Sequence, residues 1–184
     1  MTRISKCIGG GELWDRVVLD NGIVGYAYRT YLKDAPPDLS ANELSFHSGL
    51  RVQNYEISGL QDKTNTVSNL KSKINTNYRI EVENKDGVVL GENSLIGTGS
   101  KIKILSDTGE ILAIYKFILY GDVNGDGKID SIDLLVLRRH ILEIQILDDV
   151  FYKAGNINKD GTKPSSLDSL LIQRHILEIK FIEQ

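Results

Sequence analysis

Residues 122–133 read DVNGDGKIDSID, with oxygen-bearing side chains at loop positions 1, 3, 5, 9 and 12 and glycine at position 6. This spacing suits a hard cation such as Ca²⁺, which takes six to eight oxygen ligands at roughly 2.3–2.6 Å. Gly127 allows the sharp turn that brings both halves of the loop around the ion. The alternative is an acidic surface turn, but four carboxylates packed without a cation would repel one another. The sequence therefore predicts a calcium loop.

The ligands predicted for this first site are Asp122, Asn124, Asp126, the backbone carbonyl of Lys128, Asp130 and Asp133. The last position is Asp where the general calcium-loop pattern has Glu, so the closing carboxylate is one methylene shorter.

A second copy of the loop and helix follows. Residues 131–144 recur as residues 166–179, at a constant offset of 35 positions. The second loop has one inserted residue between Gly161 and Asp168, and its first ligand is the amide of Asn156. The ligands predicted for the second site are Asn156, Asn158, Asp160, Thr162, Ser165 and Asp168.

The two sites are not expected to be equal. The first loop offers four carboxylates and the second offers two. Because calcium affinity follows ligand charge and site rigidity, we expect two calcium ions, with the first bound more tightly. The alternative for the second loop is a metal-free turn.

A strand, rather than a helix, is predicted before the first loop. Residues 111–120 are rich in β-branched and aromatic residues and end at Gly121. An EF-hand is helix, loop, helix, so the entering helix is expected to be missing from these units. Two tandem units of loop and exiting helix resemble the dockerin module over residues 121–182. The resemblance implies an all-α, calcium-binding dockerin at residues 121–184, with two antiparallel loop-helix repeats and a cohesin domain as its partner.

The resemblance also implies a docking face on the two helices. The implied partner-binding residues are Ser131, Ile132, Arg138, Arg139, Ser166, Leu167, Gln173 and Arg174. The near two-fold symmetry of the sequence allows either helix to present this face, so one or two binding orientations stay open. A solvated helix face is the alternative for the arginines. His140 and His175 occupy matching positions and are interpreted as packed structural imidazoles, not as zinc ligands.

The N-terminal part predicts a β-hairpin and a linker. Two β-type runs flank residues 20–22, which read DNG, a strong hairpin signal. The pattern over residues 14–32 resembles the last two strands of a bacterial SH3-like domain, and this resemblance implies contact with the cell wall. We therefore assign residues 1–32 to a partial SH3-like β segment and residues 33–45, with Pro36 and Pro37, to a linker.

Residues 46–120 predict a small α/β module. Strands are expected over residues 50–57, 78–83, 101–105 and 111–120, and Thr66 is placed to cap a helix. The module resembles those that directly precede dockerins in clostridial surface proteins. Residues 95–100 read LIGTGS, which we interpret as a tight turn and not as a phosphate loop. No catalytic cluster is recognisable.

Composition and charge limit the partners and the cellular location that this chain can be expected to have. The net charge of −3 disfavours a nucleic-acid partner, and no run is long enough to predict a membrane span. Cys7 is the one cysteine, so an internal disulfide is excluded. The first residues lack the apolar core of a signal peptide, and we expect the chain to be a piece of a secreted, cell-surface-associated protein.

These observations predict an α+β multi-module chain: a β remnant, a small α/β sheet module and an all-α calcium-binding module. The expected function is non-catalytic, calcium-dependent anchoring of a secreted parent that degrades glycan or peptidoglycan to a cohesin-bearing partner. The alternatives are a calcium-stabilised cell-wall-binding fragment, an enzyme, and a calmodulin-like sensor. A single methionine argues against a Met-rich sensor groove.

Overall fold

The computed structural model describes residues 4–10, 14–19, 24–28, 39 and 43–184. The chain forms two compact units, Met1–Asp38 and Leu39–Gln184.

The first unit contains a three-stranded antiparallel sheet. Its strands are β1 (Ile4–Gly10), β2 (Trp14–Leu19) and β3 (Val24–Tyr28), in the order β1-β2-β3. The pairing of β2 with β3, from Trp14 opposite Tyr28 to Val18 opposite Val24, confirms the predicted hairpin. Its turn at residues 20–22 and most of the predicted linker lie outside the described residues. The first strand, β1, was not predicted from the sequence, and the SH3-like character of the unit stays a prediction.

The second unit begins with the strands and the helix of the α/β module. These are β4 (Leu44–Phe46), β5 (Arg51–Gln53), β6 (Glu56–Ser58), α1 (Val67–Ser72), β7 (Ile74–Thr76), β8 (Arg79–Glu83), β9 (Lys101–Leu105) and β10 (Ile111–Phe117). Five of the strands form one sheet in the order β5-β6-β10-β9-β8, and β4 pairs with β7. The pair β6–β10 is parallel, and the others are antiparallel. The sheet therefore has one strand more than the four predicted.

Two predictions in this module are wrong. The single strand over residues 50–57 is a hairpin, because Asn54 and Tyr55 have φ of 51° and 61° and turn the chain between β5 and β6. The linker does not reach residue 45, because β4 begins at Leu44, which is buried and pairs with Thr76. The helix α1 begins as predicted: the hydroxyl of Thr66 accepts the backbone N–H of Asn69 at 3.2 Å.

Three helices follow the sheet. They are α2 (Ser131–Ile141), α3 (Asp149–Gly155) and α4 (Ser166–Ile176). As predicted, strand β10 and not a helix precedes the first loop. The prediction is wrong for the second loop, because α3 enters it. This helix has only seven residues and buries Val150 and Ala154, so its apolar pattern is too short to indicate a helix by periodicity.

Sheet and helices share one hydrophobic core. Ile57 and Phe117 of the sheet and Leu137 and Ile172 of the helices are 0% exposed and belong to the same buried cluster. Each such side chain contributes about 1.5–3 kcal/mol on burial. The regions predicted as separate domains, residues 46–120 and 121–184, are therefore packed together in the second unit. Among the helices of the described residues, none has the length and apolar character that crossing a bilayer requires.

Candidate metal centres

Asp122 at position 1 of the first loop is 0% exposed. Its Oδ1 accepts the N–H of Gly125 at 2.7 Å, and its Oδ2 accepts the N–H of Gly127 at 3.1 Å. The same Oδ2 accepts a third N–H at 2.9 Å, from Thr98. Thr98 lies in the loop before β9. The carboxylate is therefore oriented both by its own loop and by the sheet module.

Asp133 closes the first loop from the first turn of α2. It is 0% exposed, and its Oδ1 accepts the N–H groups of Val123 at 2.9 Å and Asn124 at 3.2 Å. Its Oδ2 accepts the N–H of Asp130 at 2.9 Å. In return, Asp130 caps α2 by accepting the N–H of Ile132 at 2.7 Å. One carboxylate thus joins the start of the loop to the start of the helix.

The exposed side of the first loop contains shorter-range contacts. Asn124 Oδ1 accepts the N–H of Asp126 at 2.8 Å, and Asp126 Oδ1 accepts the N–H of Lys128 at 2.9 Å. These bonds close successive turns of the loop, and the Lys128 side chain is exposed. The predicted ligands of the first site therefore all lie in one compact, hydrogen-bonded loop.

Burial makes the charged forms of Asp122 and Asp133 in this loop unfavourable. It raises the pKa of Asp122 from 3.8 to about 6, partly offset by its backbone hydrogen bonds, with the charge of Asp126 adding to the rise. Burial likewise raises the pKa of Asp133 to about 7, and the charge of Asp122 contributes to this. Two buried carboxylates side by side are unfavourable unless a cation compensates them. The donor set, all oxygen and mostly anionic, fits Ca²⁺.

Within the described residues, no three His, Cys, Asp or Glu side chains come together in a metal-binding cluster. Calcium loops also draw on amide and backbone carbonyl oxygens, which these four side-chain types do not include. The ligand roles of the individual residues stay predictions.

The second loop reproduces the main contacts of the first. Asp168, 1% exposed, accepts the N–H groups of Ile157 at 2.9 Å and Asn158 at 3.1 Å through Oδ1. Its Oδ2 accepts the N–H and the hydroxyl of Ser165 at 2.8 and 3.0 Å. These are the counterparts of the bonds made by Asp133. The inserted residue is therefore accommodated before Ser165, near the buried Pro164.

Position 1 of the second loop has an unsatisfied oxygen. Asn156 Nδ2 donates to the carbonyl of Thr162 at 3.2 Å, but Asn156 Oδ1 is buried and has no hydrogen-bond partner. A buried acceptor without a partner costs about 1–3 kcal/mol, and a bound cation would satisfy it. This oxygen is an observation in favour of metal binding at the second loop.

The outer turn of the second loop also matches the first. Asn158 Oδ1 accepts the N–H of Asp160 at 3.1 Å, and Asp160 Oδ1 accepts the N–H and hydroxyl of Thr162 at 2.8 and 2.7 Å. The bonds from Thr162 lower the pKa of Asp160, so this exposed carboxylate is held in its charged form.

The two histidines lie where each helix ends. His140 Nδ1 accepts the N–H of Leu147 at 3.0 Å, and His175 Nδ1 accepts the N–H of Ile182 at 3.2 Å. His175 is buried, and its Nε2 lies 3.1 Å from Asp62 Oδ2. Each imidazole thus holds the chain that folds back after its helix, which agrees with the structural role inferred for both.

The eight residues of the predicted docking face are all exposed. The structure adds two leucines per helix that the sequence analysis missed: Leu135 and Leu142 on α2 and its C-terminal end, and Leu170 and Leu177 at the corresponding places on α4. The constant offset of 35 positions was the available signal for them.

We call two sets of exposed residues at helical spacing the docking stripes. They consist of Ile132, Leu135, Arg139 and Leu142 in the first repeat and Leu167, Leu170, Arg174 and Leu177 in the second. The apolar members are 41–68% exposed, which is unusual for aliphatic side chains aligned along a helix.

Residues 120–177 match the family model of the dockerin type I domain. This match covers 58 of the 184 residues and supports a dockerin domain in the part of the chain that contains both loops, α2, α3 and α4. Dockerin domains in general bind Ca²⁺ and dock onto cohesin domains. Comparison of the chain with curated proteins and with solved structures found no match.

Proposed function

We propose that this chain attaches its parent protein to a cohesin-bearing partner, in a calcium-dependent manner, through the docking stripes of α2 and α4. The observation that carries the proposal is the exposure of a repeated apolar stripe with one arginine in each copy. Interfaces of this kind combine an apolar centre with a polar rim, and arginine is enriched in them.

Calcium acts on this surface through the loops. Asp133 and Asp168 each lie in the first turn of a docking helix and hold the beginning of the preceding loop. A cation bound in the loop would fix these carboxylates, and with them the starts of α2 and α4. Removal of calcium is then expected to weaken docking by loosening the helix starts and not by removing a direct contact.

Two binding orientations are supported by the matching stripes, but they need not be equally strong. The arginines Arg139 and Arg174 correspond, whereas Ile132 corresponds to Leu167 and Arg138 to Gln173. A partner that contacts the first repeat therefore meets one more cation than a partner that contacts the second.

We further propose that the parent protein is secreted, associates with the cell surface and degrades glycan or peptidoglycan, and that this chain itself is not catalytic. The support is the general association of dockerins with extracellular and cell-surface assemblies. The proposed SH3-like segment at residues 1–32 would add contact with the cell wall. Deleting residues 1–38 should then reduce binding to isolated walls without affecting calcium binding.

The docking proposal is tested by measuring binding of the full chain to a set of immobilised type I cohesin domains, with millimolar calcium and with EGTA. We expect nanomolar to micromolar binding in calcium to at least one cohesin, and its loss in EGTA. Arg139→Ala and Arg174→Ala should each weaken binding modestly if both orientations exist. The double variant should weaken binding strongly. Arg79→Ala, an exposed arginine of β8, is the control. A folded, calcium-loaded chain that binds no cohesin would refute the proposal.

One observation favours a second candidate, a calcium sensor. Helix α3, the second loop and α4 form a helix–loop–helix unit of the kind found in sensor proteins. A sensor exposes apolar surface on binding calcium, so a hydrophobic dye should gain fluorescence with calcium. A docking domain should instead gain helix content with little dye binding.

A further inference from the structure

The first calcium loop rests directly on the α/β module. The contact is made by residues 95–100, between β8 and β9, which we call the cradle segment. A Cβ added to Gly97 would lie 2.3 Å from the carbonyl oxygen of Gly125 and 2.7 Å from the nitrogen of Gly127. Real Cβ atoms do not approach backbone this closely, so the two backbones meet at a point where only glycine fits.

Hydrogen bonds fix this contact. Asn65, 0% exposed, donates from Nδ2 to the carbonyl of Ile96 and to the carbonyl of Gly127, both at 2.8 Å. One buried amide therefore joins the cradle segment to the glycine that turns the calcium loop. Because both acceptors are backbone carbonyls, the single Asn65 side chain fixes the relative position of the two backbone segments.

Thr98 makes the second connection, to a predicted ligand. Its N–H donates to Asp122 Oδ2, and the Thr98 hydroxyl exchanges hydrogen bonds with the backbone of Leu119 at 3.1 and 3.2 Å. Thr98 is 0% exposed, so this arrangement is shielded from water. Partners that hydrogen-bond to a metal ligand fix its orientation, and their loss typically weakens metal binding.

The second loop is different at the equivalent turn. A Cβ on Gly127 would lie 3.0 Å from Leu95 Cβ, whereas a Cβ on Gly161 would meet nothing within 4 Å. At position 1 of the second loop, Asn156 donates to the carbonyl of Thr162 in its own loop, whereas Asp122 also accepts from Thr98 of the cradle segment. The turn of the second loop is therefore open where the turn of the first is packed.

We propose that the cradle segment and Asn65 form an outer shell of the first calcium site, which positions Asp122 and the turn at Gly127 before the ion binds. Asn65 and Thr98 are positioning residues and not ligands. The inference rests on the proposed calcium-dependent function, and it gives the α/β module a specific part in that function. A preorganised loop loses less conformational entropy on binding, so the module raises calcium affinity at the first site. By reciprocity, calcium stabilises the module.

The test is a calorimetric calcium titration of the full chain carrying Gly97→Ala, with Gly91→Ala as the matched control. Gly97 and Gly91 both have φ outside the left-handed region, but a Cβ on Gly91 would meet only Ser94 Oγ at 3.8 Å. We expect Gly97→Ala to weaken the tighter site by about 10–100-fold and to leave the weaker site unchanged. Gly91→Ala should leave both sites unchanged.

Asn65→Ala provides a second variant in case Gly97→Ala does not fold, and we expect the same selective loss at the tighter site. Hydrogen exchange of the wild type supplies an independent readout, because calcium should increase the protection of residues 95–100. Equal affinities in wild type and a folded Gly97→Ala chain, or equal losses at both sites, would overturn the inference. A wild type that binds no calcium would refute the proposed function as well, so the two failures are distinguishable.

Discussion

Asp133→Asn should stabilise the protein without calcium and destabilise it with calcium. The carboxylate of Asp133 is 0% exposed, and burial raises its pKa from 3.8 to about 7. A shift of this size corresponds to about 4 kcal/mol of cost for keeping the ionised group in the folded chain above pH 7. The cost is absent below the unfolded pKa and grows as pH rises to the folded pKa. A neutral amide removes it.

The amide also removes an acceptor. If its NH₂ group replaces Oδ2, the N–H of Asp130 loses its partner, at a cost of about 1–3 kcal/mol. At pH 8 in EGTA, the net effect is therefore a gain of about 1–3 kcal/mol for the variant. Calcium at 1,000 times its dissociation constant stabilises a binding protein by about 4.1 kcal/mol, and the variant should lose most of this. The order of stability then reverses.

Urea denaturation followed by circular dichroism at pH 8, in EGTA and in saturating calcium, measures both differences. Asp107→Asn, an exposed carboxylate in the turn before β10, serves as the control and should change neither. If Asp133→Asn lowered the free energy of unfolding equally in both conditions, Asp133 would be a structural hydrogen-bond acceptor and not a calcium ligand.

Two further changes test the same electrostatics. In EGTA, thermal stability should fall as pH rises from about 5 to 8, because Asp122 and Asp133, with pKa raised to about 6 and about 7, lose protons at a cost in the folded state. Saturating calcium should remove this slope, and a flat profile in EGTA would contradict the electrostatic argument. Asn156→Asp adds a carboxylate at position 1 of the second loop and should raise the calcium affinity of that site roughly tenfold in calorimetry. An unchanged second site would show that Asn156 is not a ligand.

The two loops that are predicted to bind calcium could be recognised from the sequence because their contacts are local. The hydrogen bond from Val123 N–H to Asp133 spans ten residues, and that from Asp126 N–H to Asn124 spans two. The spacing of residues along the sequence therefore indicates contacts of this kind. The one-residue insertion in the second loop did not obscure them, because Asp168 keeps the role of Asp133.

The cradle segment could not be found in the same way. The bond from Asn65 to Gly127 spans 62 residues, and that from Thr98 to Asp122 spans 24. No local pattern brings these residues together, since the contact is produced by the packing of the sheet. The two glycines of residues 95–100 were correctly identified as turn residues. A turn signal, however, does not predict which other segment of the protein packs against the turn.

The hairpin at β5 and β6 was missed for a different reason. Asn54 is a common residue for a left-handed turn, but Tyr55, with φ of 61°, is not. Apolar residues alternate at Leu50 and Val52 and again at Tyr55 and Ile57, but Gln53 and Asn54 are both polar and shift the phase by one residue. This shift was the signal in the sequence that separates two short strands from one longer strand.

The central position of β10 determines how the molecule responds to pulling. This strand lies between β6 and β9 and ends at Phe117, only a few residues before the first calcium loop. Tension applied at α2 passes through that loop into a strand that is hydrogen-bonded on both edges. Force along such a strand loads its hydrogen bonds in shear, so several must break together instead of one after another. If α2 holds the proposed cohesin partner, this arrangement would make the attachment resistant to pulling.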